Sequence, residues 1–338
     1  MGKNHIQSVY DLLYLKGVDL ALVRADAIEY IRRYGDFPNI QNVIRSFTKI
    51  SEEKIIVLAR DEFNSVEDLA GKTIGLGNAG SGEFVTGSII LESLGIHGQH
   101  TEINNSAALD QLKSGKLAAM VYLFRPTDAV QDGEDAIVRK RIRNLKLQDG
   151  IHALALPDNH ELKSNYKAVN LTHDDLPGLI AEATALHTYS VDSILAAYNW
   201  QSDNARYKKV ARFANAFIDS LDELKSGPYQ PIWNHVELDS STINVARIGL
   251  LDDIIIERER QKTDKEQAEN NRVAAEKEAL KAKNIAKLIK QREEITARLG
   301  EKMSTADSAE LKKLMSQLSS FLQDLETSSS TPGDDAGN

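Results

Sequence analysis

The stretch Lys72 to Ile96, KTIGLGNAGSGEFVTGSIILESLGI, constrains what this chain can fold into more than any other. It predicts a short strand at Thr73–Leu76, a glycine-rich turn, and a helix with Phe84, Ile89, Ile90 and Leu94 at roughly helical spacing. Gly77, Gly80 and Gly82 allow backbone conformations that other residues resist, so several N–H groups can converge where the helix begins. A helix start carries unpaired donors and the positive end of the helix dipole, and both favour an anion. Ser81 adds a hydroxyl there, and Glu83 an acid. A carboxylate-type ligand at this turn is the expectation. A strand-to-helix turn that uses its glycines for geometry alone is the alternative.

Two other motifs are weaker. Gly75 to Gly80 fits GxGxxG, and Glu102 lies where the ribose-binding acid of a dinucleotide site belongs. That motif needs a second parallel strand, and His97-Gly98-Gln99-His100-Thr101 is too polar to be a buried one. Gly71-Lys72-Thr73 resembles the end of a P-loop, but Val66 occupies the first glycine position and the triplet precedes its strand.

A chain of 338 residues is long enough for two domains, or for one two-lobed domain with an appendage. The net charge of −9 argues against a general nucleic-acid binder, which would show a basic stripe. With no cysteine there is no disulfide and no thiolate metal site. No apolar run approaches the ~18 residues of a membrane span. The first thirty residues lack the apolar segment of a signal peptide. The histidines make no H-x-x-x-H or H-E-x-x-H pattern, and no Ser/His/Asp set stands out. The sequence therefore calls for no metal, no cofactor and no catalysis.

Taken in order, residues Ile6–Lys16 form a helix ended by Gly17, and Val18–Val23 a short strand. Arg24 and Asp26 follow at the strand's carboxyl end, where an α/β sheet faces its ligand, although Asp26 can equally cap the next helix. Glu53–Arg60 is a second strand, and Ser65–Asp68 a capping-box pattern opening a short helix. Leu109–Leu117 is a helix, and Ala118–Leu123 a strand that delivers Phe124, Arg125 and Pro126 to a loop. Arg125 has the fork geometry to bind a carboxylate, or it is simply a solvated surface arginine. A surface helix over Asp132–Lys146, a strand at Ile151–Leu156 and a short helix at Asn159–Asn165 follow. Thr188–Tyr198, including Tyr189, reads as a long strand, and Asn204–Leu224 as an amphipathic helix with Val210, Phe213, Ala214, Phe217 and Leu221 inward. Glu257–Arg298 is a solvated helix or a coiled coil with a thin apolar seam, and Ser304–Asp307 caps a last helix. Residues 328–338 read as a disordered tail.

Four segments together resemble the solute-binding component of TAXI-type TRAP transporters: Gly17–Asp26, Ser65–Ile96, Leu112–Val130 and Ser193–Leu224. The similarity covers about Ile6 to Arg247. It implies an α/β, two-lobed type II periplasmic-binding-protein fold followed by a C-terminal helical or coiled-coil extension. Lobe 1 would comprise 1–60 and 197–251, lobe 2 would comprise 73–171, and the extension 252–327. Strands Ile55–Arg60 and Ser190–Tyr198 would cross between lobes. The resemblance further implies capture of a small anionic or zwitterionic solute, an amino acid or carboxylate, for the TRAP membrane subunits in the periplasm. Gly80, Ser81, Gly82 and Glu83 would hold the ligand, Arg24 and Asp26 would line the opposite wall, and Phe124, Arg125 and Pro126 would close on it, with Tyr189 nearby. Relative to the family, the chain begins inside the helix that follows the family's signal peptide, first strand and loop. A second reading uses the same fold as a ligand sensor or scaffold that self-associates through the C-terminal helices. An NAD-dependent oxidoreductase is a third.

Overall fold

Asn4 opens helix α1 (His5–Tyr14), its side chain accepting from the Gln7 backbone N–H at 2.8 Å. Then come β1 (Leu20–Arg24), α2 (Ala25–Tyr34), the single-turn α3 (Ile40–Val43), β2 (Ile44–Arg60), β3 (Thr73–Gly75) and α4 (Gly82–Ser93). They are followed by β4 (Gln99–Thr101), α5 (Asn105–Lys113), β5 (Ala119–Phe124), α6 (Glu134–Arg143), β6 (Ile151–Leu154) and α7 (His160–Lys163). β7 (Lys167–Leu171), β8 (Leu186–Tyr198), α8 (Ala205–Ser226), α9 (Gly249–Met303) and α10 (Ser308–Ser329) complete the order. The computed structural model describes residues 4–125, 133–229, 231–238, 242–303 and 308–329.

The strands form one mixed sheet in the order β1-β8-β2-β5-β3-β4, with β6 on β2 and β7 on β8. β2 changes partners along its length. Ile44–Lys54 pairs antiparallel with β8, and Lys54–Ala59 with β5. Lys54 is thus the residue at which the two halves of the sheet meet.

Each half is buried on both faces. In the second half of β2, Ile55, Val57 and Ala59 pack on one side with Val85, Ile89 and Ile90 of α4. Ile56 and Leu58 pack on the other with Leu109 and Leu112 of α5 and Val138 and Ile142 of α6. An unbroken apolar run is what a strand covered on both faces requires. In the first half, Ile44 and Ala196 meet Val9 and Leu12 of α1 and Ile28 of α2, while Phe47 and Ala197 meet Val210, Ala214 and Phe217 of α8. Each such Ile, Leu or Phe contributes about 1.5–3 kcal/mol.

The α/β architecture with a helical extension is the expected one, with several corrections. The polar His97–Thr101 segment does form a parallel neighbour: β4 pairs with β3 from Thr73↔Gln99 to Gly75↔Thr101. It lies at the sheet edge with Gln99 and His100 exposed, so the pairing needs no apolar sequence. β2 begins nine residues before the expected Glu53, at Ile44. Its polar Arg45, Ser46, Thr48 and Lys49 and two register shifts hide the strand period. β7 is a strand that the sequence did not announce. Of the Ser65–Asp68 box one half forms, Asp68 accepting from the Ser65 N–H at 3.0 Å ahead of a short 3-10 turn. Phe213, expected inward, is 38% exposed.

The chain divides into two compact units, residues 1–255 and 256–338. The first contains the whole sheet. In the second, the described side chains from Glu259 to Asn284 are exposed along α9, whereas Leu314 and Phe321 of α10 are buried. The expected cap at Ser304–Asp307 and the tail beyond Ser329 lie outside the described residues.

Candidate functional site

β3 and β5 are parallel neighbours, and the helices that follow them leave for opposite faces of the sheet, α4 to one and α6 to the other. Diverging helices open a crevice beyond the carboxyl ends of such strands. A cavity of about 290 Å³ lies there. Its walls are the N-terminal turns of four helices: Asn4 and His5 of α1, Ser81–Glu83 of α4, Asn104 and Asn105 of α5, and Glu134, Asp135 and Val138 of α6. Gly77, Asn78 and Arg125 complete it.

The turn into α4 is built as its glycines suggest. Gly77 and Gly80 sit at φ +81° and +74°, a region that strains any side chain bearing a Cβ. Ser81 is the N-cap, its Oγ accepting from the Phe84 N–H at 3.2 Å. Gly82 lies directly against the Arg24 guanidinium, leaving no room for a side chain.

Beneath the cavity floor is a buried ionic network. Arg24, 1% exposed, donates to Glu53 at 2.9 Å, to Thr86 Oγ1 at 2.6 Å, and to Asp26 at 3.3 and 3.4 Å. Asp26 also accepts from Thr86 Oγ1 at 2.5 Å and from the Tyr166 hydroxyl at 3.2 Å. Glu53 accepts from Arg125 Nε at 3.0 Å and from Ser193 Oγ at 3.3 Å. Arg125 then reaches Asp135 at 3.2 Å. One guanidinium therefore ties the end of β1 to α4, and another ties the end of β5 to β2.

The charges respond to this packing. Burial acts to raise the Glu53 carboxyl, but Arg24 and Arg125 outweigh it and hold it below the usual value. Arg125 is raised, first by Glu53 and against burial, and Tyr166 is raised by burial and then by Asp26. His5 is pushed down to about 4, first by burial and then by Arg24, and so stays neutral.

Among the residues singled out in the sequence, Ser81, Gly82, Glu83 and Arg125 meet at the cavity. Gly80 faces the Asn4 carboxamide. Arg24 and Asp26 lie below, fully buried and already paired. The cap position of α2 falls to Arg24, and Asp26 makes no cap bond. Phe124 is buried in the core with the Arg139 guanidinium 5.9 Å from its ring centroid. Pro126 lies outside the described residues. Tyr189 does not reach the cavity: it is buried in the core behind α4, and its hydroxyl bonds Pro157 O and the Asn159 N–H.

Sequence reading missed Glu53, Asn105 and Asp135. Glu53 carried one available signal, its place just ahead of the apolar run Ile55–Ala59. Among the described residues no group of three or more His, Asp and Glu side chains is placed to hold a metal, and no helix is long and apolar enough to cross a membrane.

Residues 12–220 match the NMT1-like family model, and the chain belongs to that family. No curated protein matches the sequence. Solved structures with similar folds include an ancestral arginine-binding protein bound to arginine, at 17% identity and TM-score 0.34, covering 67% of this chain and 74% of that one. The arginine-, lysine-, histidine-binding protein ArtJ from Geobacillus stearothermophilus is similar at 14% identity and TM-score 0.33, over 64% and 71% of the two chains. XAC2383 from Xanthomonas citri, bound to ATP, is similar at 12% identity and TM-score 0.39, over 70% and 76%.

Proposed function

We propose that the chain captures a small organic solute, an amino acid or related carboxylate, in the cavity beyond β3 and β5 and passes it on without chemical change. The observation that carries this reading is the convergence of four helix N-terminal turns and Arg125 on one crevice at the carboxyl ends of parallel strands. The three carboxylates around it, Glu83, Glu134 and Asp135, weigh against a dinucleotide pyrophosphate at the same turn. Delivery to TRAP-type membrane subunits in the periplasm, and the division into lobes at 1–60 with 197–251 and at 73–171, rest on the four segments that resemble TAXI-type proteins. The sensor or scaffold reading draws support from the exposed length of α9 and the apolar face of α10.

Thermal unfolding against amino acids, dicarboxylates and other small acids, with NAD as a decoy, tests the proposal. A ligand at a hundred times its Kd stabilises the folded state by about 2.7 kcal/mol. A shift with an amino acid or a carboxylate and none with NAD is expected. Response to NAD alone would overturn the reading.

A further inference from the structure

We propose that the cavity contains a seat for a cationic, multi-donor group, an ammonium or guanidinium, formed by Glu83, Asn105 and Asp135. The proposal deepens the solute-binding reading and rests on it. Asn105 Nδ2 donates to Glu83 Oε1 at 2.9 Å. Rotating the amide would set oxygen against oxygen, so this bond fixes its orientation. Asn105 Oδ1 is then left buried with no partner among the described residues. A native fold rarely leaves a buried acceptor unpaired without a role for it. Asn105 is part of the cavity wall, so a donor group of a bound solute is placed to fill it once the atoms covering Oδ1 give way, and a carboxylate is not.

The charges around the cavity point the same way. Arg125 is held by Glu53 at 3.0 Å and by Asp135 at 3.2 Å, so its charge is matched before any solute arrives. Arg24 is matched by Asp26 and Glu53. Arg139 is turned over the Phe124 ring and donates to the Arg125 carbonyl at 3.4 Å. His5 is neutral. That leaves Glu134 on the wall outside these pairs, while Glu83, bonded to Asn105, lies in the field of Arg24 and Arg125 without an ion pair of its own among the described residues. A cation with several N–H donors pairs with Glu83, satisfies Asn105 Oδ1 and reaches Asp135. A carboxylate on the same solute would lie against the first-turn N–H groups of α4. Solutes bearing only negative charge meet the wall acids unbalanced.

Calorimetric titration of the full chain tests this with two probe sets. L-arginine, L-lysine and agmatine carry the cation. Glutarate, 2-oxoglutarate and hexanoate carry only the anion. At least one cationic probe should bind, and more tightly than every anionic probe. Glu83→Gln should weaken that probe by roughly tenfold or more. Asn105→Leu, which removes the unpaired acceptor, should weaken it as well and serves if Glu83→Gln fails to fold. Anionic probes binding as tightly as cationic ones, or unchanged binding by a folded variant, would overturn the cation seat and leave solute capture standing. Silence from both sets at about 10 mM, far above a useful Kd, would overturn both.

Discussion

Replacing Arg24 by methionine removes the charge at the centre of the buried network while keeping most of the volume. The two carboxylates it holds do not lose equally. Glu53 keeps Arg125 at 3.0 Å and Ser193 at 3.3 Å. Asp26 keeps Thr86 and Tyr166, neither of them a cation, in a site with no measurable exposure. Breaking a buried pair by removing one partner costs about 3–5 kcal/mol, because the other charge stays behind. Most of that cost should come from Asp26. In the sequence Arg24 stands as a candidate wall residue of a ligand site, and its burial gives it a part in stability. Both tryptophans, Trp200 and Trp233, lie in the first compact unit, so urea unfolding followed by their fluorescence reports on this unit. At about 2–4 °C per kcal/mol, the thermal midpoint should drop by roughly 6–20 °C. Adding Asp26→Asn should recover a large part of the loss, since the carboxylate left without its cation is then gone. Arg125→Ala, at a side chain 39% exposed, should cost only about 1–2 kcal/mol. An Arg24→Met protein within about 1 kcal/mol of the parent, with no recovery on Asp26→Asn, would refute the reasoning.

Two part-buried groups should give opposite pH dependences. His5 titrates near 4 when folded and near 6.5 when unfolded, so stability falls as pH drops through that window, and His5→Gln should lose less on acidification. Burial raises Asp192 from 3.8 to about 6, so the unfolded chain releases its proton first and stability falls as pH rises through that range. Asp192→Asn should therefore be more stable than the parent at pH ~7, by about 1–2 kcal/mol after allowance for solvent screening, and equal to it near pH ~4; equal midpoints at both would contradict the assignment. Gly82→Ala should cost about 1–3 kcal/mol in urea unfolding, because its Cβ meets the immobilised Arg24 guanidinium and sits 2.9 Å from Leu123 Cδ1. Unchanged stability would mean that the turn does not pack on Arg24. Ending the chain after Ile255 should leave the tryptophan-detected midpoint unchanged, since the four cores lie within the first unit; a smaller assembly by light scattering would assign self-association to the removed helices.

What could be read from the sequence follows from how far each interaction reaches along the chain. Ile55–Ala59 and Ala119–Leu123 declare themselves because strands buried on both faces have to be apolar throughout. Three-residue β4 and the mostly exposed β7 are held by backbone bonds to a neighbour, which place little demand on side chains, so polar sequences serve. The turn into α4 was visible for the same local reason: Gly77, Gly80 and Ser81 act on a backbone only a few residues away. The network beneath it acts over long separations. Arg24 finds Thr86, Glu53 finds Arg125 72 positions away, and Asp26 finds Tyr166 140 positions away. Arg24, Asp26 and Arg125 stand out in the sequence by their places at strand ends, but nothing near them names these partners. Only the partner change of β2 at Lys54 brings them together, since it sets Glu53 beside the end of β5 while β8 still runs along its other edge. The same junction explains why Arg24 reads as a ligand contact in sequence and is a buried structural cation in the fold. It stands at the carboxyl end of its strand, as a ligand-binding residue should, but Glu53, Asp26 and Thr86 arrive there from three other elements and take up its donors. The groups that line the cavity are those one layer further out, Glu83, Asn105, Arg125 and the four helix starts.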